Sequence, residues 1–396
     1  MTGFLVGLGI CLFASVLWTI QRFRRRNVML WLPAFARRDW VGVREGPPPG
    51  LVHVIFAVAD HFEPAWSGAA PSLQRDRVAR WTAEYPRLAG EFADADGRGP
   101  RHTFFFPAEE YVPGHLDRLA DLARAGHGEV EVHLHHDRDT SEGLRRKLRT
   151  FVEQLRSHGH LGSDAPDARP VFAFVHGNWA LDNSRDDGRW CGVNDELRVL
   201  RECGCYADFT LPSAPSDTQT RRINSLYYAT DDPARPRSHD DGVEAAVGKD
   251  PSGDLLIVQG PLTVLWPGGK FGLFPRLETG NLSGRAGMSD RRVDAWVRTR
   301  VAVAGRPDWV FVKVHTHGCN ELNRDVLLGG GARRMHERLC SRYNDGVNFK
   351  LHYVTAREMA NIIRAAERGM AGDPGRYRDF AIGPPPCIRS EVENAL

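Results

Sequence analysis

The stretch "EVEVHLHHD", Glu129–Asp137, packs three histidines and an aspartate into its last five positions. Side chains of an extended strand alternate between faces, so Val130, Val132 and Leu134 share one face while Glu131, His133, His135 and Asp137 share the other. His136 then points away from that set. Neutral imidazole and carboxylate are the ligands preferred by zinc and related ions, so His133, His135 and Asp137 read as metal ligands. The plainer alternative is an edge strand with a solvated polar face. Three more clusters carry the same residue types: Asp60 with His61 in "VADHFEP", His176 with Asn178 and Trp179 in "VHGNW", and His315 with His317 in "FVKVHTHG". Histidine and carboxylate ligands that leave one coordination position open make water nucleophilic near neutrality. A further carboxylate then serves as base and a histidine from another strand as acid, which together describe metal-assisted hydrolysis. Competing motifs are absent: no phosphate-binding loop, no GxSxG elbow and no HExxH helix occur, and the glycines at 329–331 read as a loop.

These clusters need elements to bring them together. Short runs rich in Val, Ile and Phe occur at Leu51–Ala59, His102–Phe106, Val130–Leu134, Val171–Val175, Leu255–Gln259, Trp309–His315 and Phe349–Val354. Between them, Val78, Trp81, Tyr85, Leu88 and Phe92 recur at the spacing of one buried helix face. Similar patterns cover Gly114–Arg124, Ser141–Ser157, Asn194–Glu202, Ser289–Ala304 and Thr355–Arg368. Strands alternating with helices predict parallel pairing in an α/β sheet or barrel. The C-terminal ends of parallel strands open on one face, so the four clusters, each at a strand end, should converge there. Several residues also have structural readings. Asp60 could cap the following helix, His315 and His317 could be a bonded core pair, and Trp179 could close a turn, although a Trp in a sugar site offers a stacking face. Trp266 is read as buried, and Ser238–Gly242 as a solvated loop.

The order of these motifs resembles the polysaccharide deacetylases, carbohydrate esterase family four, over roughly Leu51–Arg368. The resemblance implies an incomplete or distorted (β/α) barrel and a divalent metal, usually zinc, used to remove acetyl groups from N-acetylated sugars. The family's first motif has two adjacent aspartates, base and metal ligand. Here Asp60 precedes His61, which makes Asp60 the base and His61 a substituted ligand, or Asp60 the ligand with the base lost. The second motif's ligand pair corresponds to His133 and Asp137, with His135 as the alternative on the same face. His176 stands where the family has an arginine, and His315 matches the histidine that acts as acid. Water activated by the metal would attack the amide carbonyl, with His176, Asn178, Trp179 and His317 lining the substrate. The closing "HYVTAREMANIIRAAE" is similar to the family's last strand and helix. The alternative is a barrel that binds or assembles glycans without cutting them.

Composition bounds the remaining classes. A formal net charge of +2 over 396 residues, with arginines interspersed among acids, excludes the electrostatic footprint of a nucleic-acid binder. Seven cysteines without a CxxC pair read as reduced thiols. Gly3–Ile20 carries no charge and is followed by Arg22, Arg24, Arg25 and Arg26, which reads as a retained single-pass inner-membrane anchor. The basic flank favours the cytoplasmic side for the large domain, where a lipid-linked sugar could be reached; extracytoplasmic placement is the alternative. The organisation expected is an anchor at 1–21, a basic membrane-proximal linker at 22–50, the barrel domain at 51–370 and a loosely packed tail at 371–396.

Overall fold

Alternating β-branched and aromatic runs form the sheet, and the amphipathic segments between them cover it. The computed structural model describes residues 21, 23–37, 50–165, 168–266 and 275–389. Helix α1 (Val28–Arg37) precedes strand β1 (Val52–His61), α2 (Pro71–Ala89), β2 (His102–Pro107), α3 (Pro113–Arg124), β3 (Gly128–Leu134) and α4 (Ser141–Ser157). Next come β4 (Gly162–Ser163), β5 (Pro170–His176), α5 (Glu196–Glu202), β6 (Cys205–Asp208), β7 (Leu226–Ala229), β8 (Val243–Glu244) and β9 (Leu255–Val258). The chain continues through β10 (Thr263–Leu265), β11 (Arg276–Glu278), α6 (Asp290–Arg298), β12 (Trp309–Thr316), α7 (Glu321–Leu327) and α8 (Gly330–Tyr343). It closes with β13 (Phe349–Tyr353), α9 (Ala356–Glu367) and α10 (Pro386–Arg389).

The main sheet runs in the order β12-β1-β2-β3-β5-β6-β9-β7-β8, with β13 also paired to β1 and β4 to β5. Every neighbour from β12 to β9 is parallel, and only β7, β8 and β4 pair antiparallel. This is the α/β architecture with a mostly parallel sheet that the alternating pattern implies. The barrel is a different matter: among the described residues no strand pairing closes the sheet. The sheet is nevertheless curved, because the Lys313 amine on β12 donates to the carbonyls of Phe209 (2.7 Å) and Leu211 (2.5 Å) just beyond β6.

Both faces of the sheet are buried. The outer face, carrying Val54, Val58, Phe104, Val132, Leu134, Phe174 and Val312, packs against Trp81 and Leu88 of α2, Leu119 of α3, Leu148 of α4 and Trp296 of α6. The inner face, carrying Ile55, Ala57, Ala59, Phe105, Ala173, Val175 and Phe311, packs against Met359, Ile362 and Ile363 of α9. Each fully buried aliphatic or Phe side chain of this kind contributes about 1.5–3 kcal/mol. Helix α2 opens on Pro71, which suits a first turn whose amide has no acceptor. In α9, Thr355 and Glu358 form a reciprocal capping box.

Several sequence expectations change. Gly3–Ile20 lies outside the described residues, and none of the described helices is long and apolar enough to cross a membrane. Part of the linker is helical: Trp31 of α1 is buried with Ala214 and Leu262. The 330–331 glycines start α8 rather than a loop, since Ala332, Met335 and Leu339 recur at helical spacing on a buried face. Helix α6 stops at Arg298 because Val301 and Val303 alternate into the inner core, and the Val301 carbonyl accepts from Phe311 N at 2.8 Å. Trp266 is 70% exposed instead of buried. In the loop read as solvated, His239 and Asp240 are buried. Of the expected tail, residues 390–396 lie outside the described residues, and 371–389 are not loosely packed: Arg378 is buried and paired with Asp94 (3.2 Å) and Asp96 (2.7 Å).

Candidate metal centre

Parallel register brings the strand ends level. Asp60 lies beside Thr316, His61 beside Phe105, Pro107 beside His133, and Leu134 beside His176. Alternation then decides which side chains meet. On β1, Ala57 and Ala59 face inward and His61 continues that face. Phe62 turns outward, packing edge-on against Trp81 (5.7 Å) and Phe104 (5.0 Å), so that Glu63 returns to the side of His61. The Phe62 amide still donates to Phe105 O at 2.9 Å, which keeps this alternation past the strand end.

His61, Glu63 and His133 form a buried group whose ligand atoms all lie within 4.8 Å of one another. Glu63 Oε1 is the focus: His133 Nε2 is 3.2 Å from it, His135 Nε2 3.7 Å and His317 Nε2 3.9 Å. His133 Nδ1 donates to Val175 O at 2.8 Å. This holds the ring so that Nε2 faces the carboxylate, the arrangement seen when a metal-binding histidine is oriented by an outer acceptor. The rings of His61 and His317 stack at 4.5 Å, and those of His61 and His133 lie 4.8 Å apart.

Charge and burial agree with a cation-binding pocket. Burial and the neighbouring rings of His317, His133, His315 and His135 hold the His61 imidazole well below its usual pKa, so it stays neutral with a lone pair available. Burial pushes the Glu63 carboxyl up, but its bond with His133 and the surrounding imidazoles outweigh that, leaving it below its ordinary value. His135, at the rim, bonds through Nδ1 to Glu109. Burial lowers the pKa of that ring, yet Glu109 outweighs burial and leaves it raised. Burial raises the neighbouring Glu110 to about 7.

The other expected site residues fall in four places. His317 is partly exposed beside the group, with the rings of Trp179 and Trp66 at 5.4 and 5.2 Å. Trp179 also lies 5.5 Å from His61, carried with Asn178 on a turn in which both residues have positive φ. His315 is on the inner face, electrostatically coupled to His61, with a buried Nδ1 that has no hydrogen-bond partner among the described residues. Asp60 and His176 are on the outer face instead. Asp60 is fully buried, accepting from Gly318 N at 2.5 Å and bonding His102 Nε2 at 2.8 Å. A Cβ on Gly318 would lie 2.1 Å from Asp60 Oδ2, so only glycine allows that approach. Asp137 is exposed beyond the strand end, where alternation no longer holds, and accepts from Trp190 N at 2.5 Å. His176 packs with His136, Cys191 and Glu196 in a second buried group. A third group, His53, His352 and Asp373, lies at the opposite strand ends, where His53 Nδ1 and His352 Nε2 bond each other at 2.9 Å.

Glu63 was not among the expected ligands. Its signal was present in "HFEP", two residues past His61 and on the same face. Cys191 and Glu196 carried no such signal, because their partners come from strands far away in sequence.

No protein-family model and no curated protein matches this chain. Buried groups of His, Cys and Glu able to bind a metal are compatible with a metal-dependent enzyme.

Proposed function

We propose that this chain is a metal-dependent hydrolase that removes the acyl group from an N-acylated amino sugar in a glycan or glycolipid. The observation that carries the reading is Glu63 Oε1 ringed by the Nε2 atoms of His133, His135 and His317 within 3.9 Å, beside His61, at the open ends of parallel strands. His61, Glu63 and His133 are the residues that would hold the ion. Their imidazole and carboxylate donors suit zinc and its neighbours in the transition series. A divalent ion of this class supplies Lewis acidity toward a carbonyl oxygen and lowers the pKa of water.

The protein's own groups do the rest. His317 at the rim and His315 beneath it are the imidazoles available to take up and return the proton that the leaving amine needs. Asp60, bound to Gly318 N and His102, holds the loop that carries His317 and acts as a positioning residue. Trp179 and Trp66 flank His317 and offer flat apolar faces to a sugar ring. The proposal includes the basic-flanked segment Gly3–Ile20 as an anchor that keeps this opening near a lipid-linked sugar.

The test is acetate release from N-acetylglucosamine oligosaccharides by zinc-loaded, full-length protein, repeated after chelation and with Glu63→Gln. Release that is lost on chelation, restored by zinc and absent in the variant is the expected result. If no divalent ion binds, the hydrolase reading fails; if the ion and the sugar bind without release, the protein is a glycan binder on the same fold.

A further inference from the structure

A second group of ligand-type side chains lies behind the strand ends, on the helix-packed face. His136 follows β3, His176 ends β5, and Cys191 and Glu196 come from the segment that leads into α5. All four are buried, Cys191, His176 and Glu196 completely, and their ligand atoms lie within 4.8 Å of one another. Glu196 is the hub: Oε1 is 3.0 Å from His136 Nε2 and 3.4 Å from His176 Nε2, and Oε2 is 3.5 Å from Cys191 Sγ.

Proton placement shows what the group lacks. His176 Nδ1 bonds to the Gly177 carbonyl and must be the protonated nitrogen, so Nε2 presents a lone pair toward the Glu196 carboxylate. That Nε2 atom is buried and has no hydrogen-bond partner among the described residues. His136 is placed the other way round: Nε2 bonds Glu196 Oε1 at 3.0 Å, while Nδ1, 3.3 Å from Asp139 Oδ2, is buried with no hydrogen-bond partner among the described residues. A protonated His136 would satisfy its own contact with Glu196, but it would leave the lone pair of His176 facing a carboxylate oxygen. One cation would take up the unpartnered lone pair of His176 Nε2 together with His136 Nε2, the carboxylate and the sulfur, while Gly177 O is the outer acceptor that orients His176.

We infer that His136, His176, Cys191 and Glu196 form a closed, structural zinc site, separate from the His61–Glu63–His133 group. Two imidazoles, one thiolate and one carboxylate match the tetrahedral donor set of zinc, and a sulfur ligand disfavours magnesium and calcium. Four buried protein ligands leave no position for substrate, so the ion's role is to hold the segment from Gly177 to Glu196. That segment contains Asn178, Trp179, Asp182, Asn183 and Trp190 at positive φ, conformations that cost non-glycine residues energy and need external support. It also carries Trp179 over His61 and His317, so the site would fix one wall of the first opening.

Cobalt titration of the metal-free, full-length protein tests this without relying on activity. The wild type should show thiolate-to-cobalt charge-transfer absorption, and Cys191→Ser should lose that band together with one bound equivalent. His133→Ala should keep the band, so failure of the first site and failure of this one are told apart. Cobalt-saturated wild type with no thiolate band would overturn the inference, as would an unchanged stoichiometry and band in Cys191→Ser. Should Cys191→Ser not fold, X-ray absorption at zinc in the wild type decides: a sulfur ligand beside nitrogen and oxygen supports the site, and an all-nitrogen-and-oxygen shell overturns it.

Discussion

Glu63 and Asp60, three residues apart, have opposite fates because the strand's alternation sends one inward and the other outward. Glu63 meets imidazole nitrogens, whereas Asp60 meets an amide and His102 in a space closed by Trp81. Replacing Glu63 with Gln removes an anionic ligand. Loss of even an outer-shell partner costs about 10–100-fold in affinity, so one of the two zinc equivalents should be held at least about 100-fold more weakly in competition with a chromophoric chelator, the other being unchanged. An affinity within tenfold of wild type would put the ion elsewhere. Asp60→Asn should behave as a core lesion, because a neutral amide replaces the buried carboxylate that accepts from Gly318 N and bonds His102. Urea unfolding should show a loss of about 1–3 kcal/mol, with zinc affinity retained. Full stability with abolished turnover would instead return Asp60 to the role of base.

At the scale of elements, the site rests on strand ends, and the strands rest on caps and ion pairs at their other ends. Helix α9 covers the inner face, and its N-terminal Glu358 meets Arg101 and lies 3.4 Å from Arg378. Burial pushes the Glu358 carboxyl up, but the guanidinium groups of Arg101, Arg378 and Arg357 outweigh burial and hold it below its ordinary value of 4.5. A carboxyl with a depressed folded pKa binds fewer protons folded than unfolded. Its stabilisation is therefore complete above pH 4.5 and is lost as the pH falls through the lower, folded value. Glu358→Gln should cost about 3–5 kcal/mol at neutral pH, since it strands buried guanidinium charge. Its unfolding free energy should also vary less than that of wild type below pH 4.5; parallel pH profiles would contradict the assignment. Gly318→Ala makes the complementary change near the site. It forces Asp60 and Trp81 apart, and should lower the melting temperature and disturb His317 while leaving the Glu358 network intact.

For the whole molecule, both candidate metal groups join parts of the chain that the sheet alone does not bind. The first ties β1 to β3, and the second ties β3 and β5 to the loop before α5. Ligand binding to the folded state alone adds about 2.7 kcal/mol at a hundredfold excess over Kd, so the melting temperature should climb with free zinc and fall on chelation. A melting temperature independent of zinc would contradict both groups. Much of this was legible beforehand. The period-two runs and the helical spacing of residues such as Val78, Trp81 and Tyr85 report local geometry, so the strands β1, β2, β3, β5, β9, β12 and β13 and the α/β alternation followed directly, whereas α1, α7, α8, β6 and β7 did not. So did the convergence of the clusters at His61, His133 and His317, because parallel strands end on a common edge. What local pattern could not carry was the choice of face beyond a strand's last residue, or the chain's path between strands. Asp137 left the site because alternation ceases where pairing ceases. His136, which alternation had set aside, gained Cys191 from the loop before α5 and Glu196 from the first residue of that helix. The sequence by itself determined most of the central strands and the edge at which chemistry could occur. Only the tertiary structure decided which side chains share a pocket there, because burial and proton placement depend on neighbours distant in the chain.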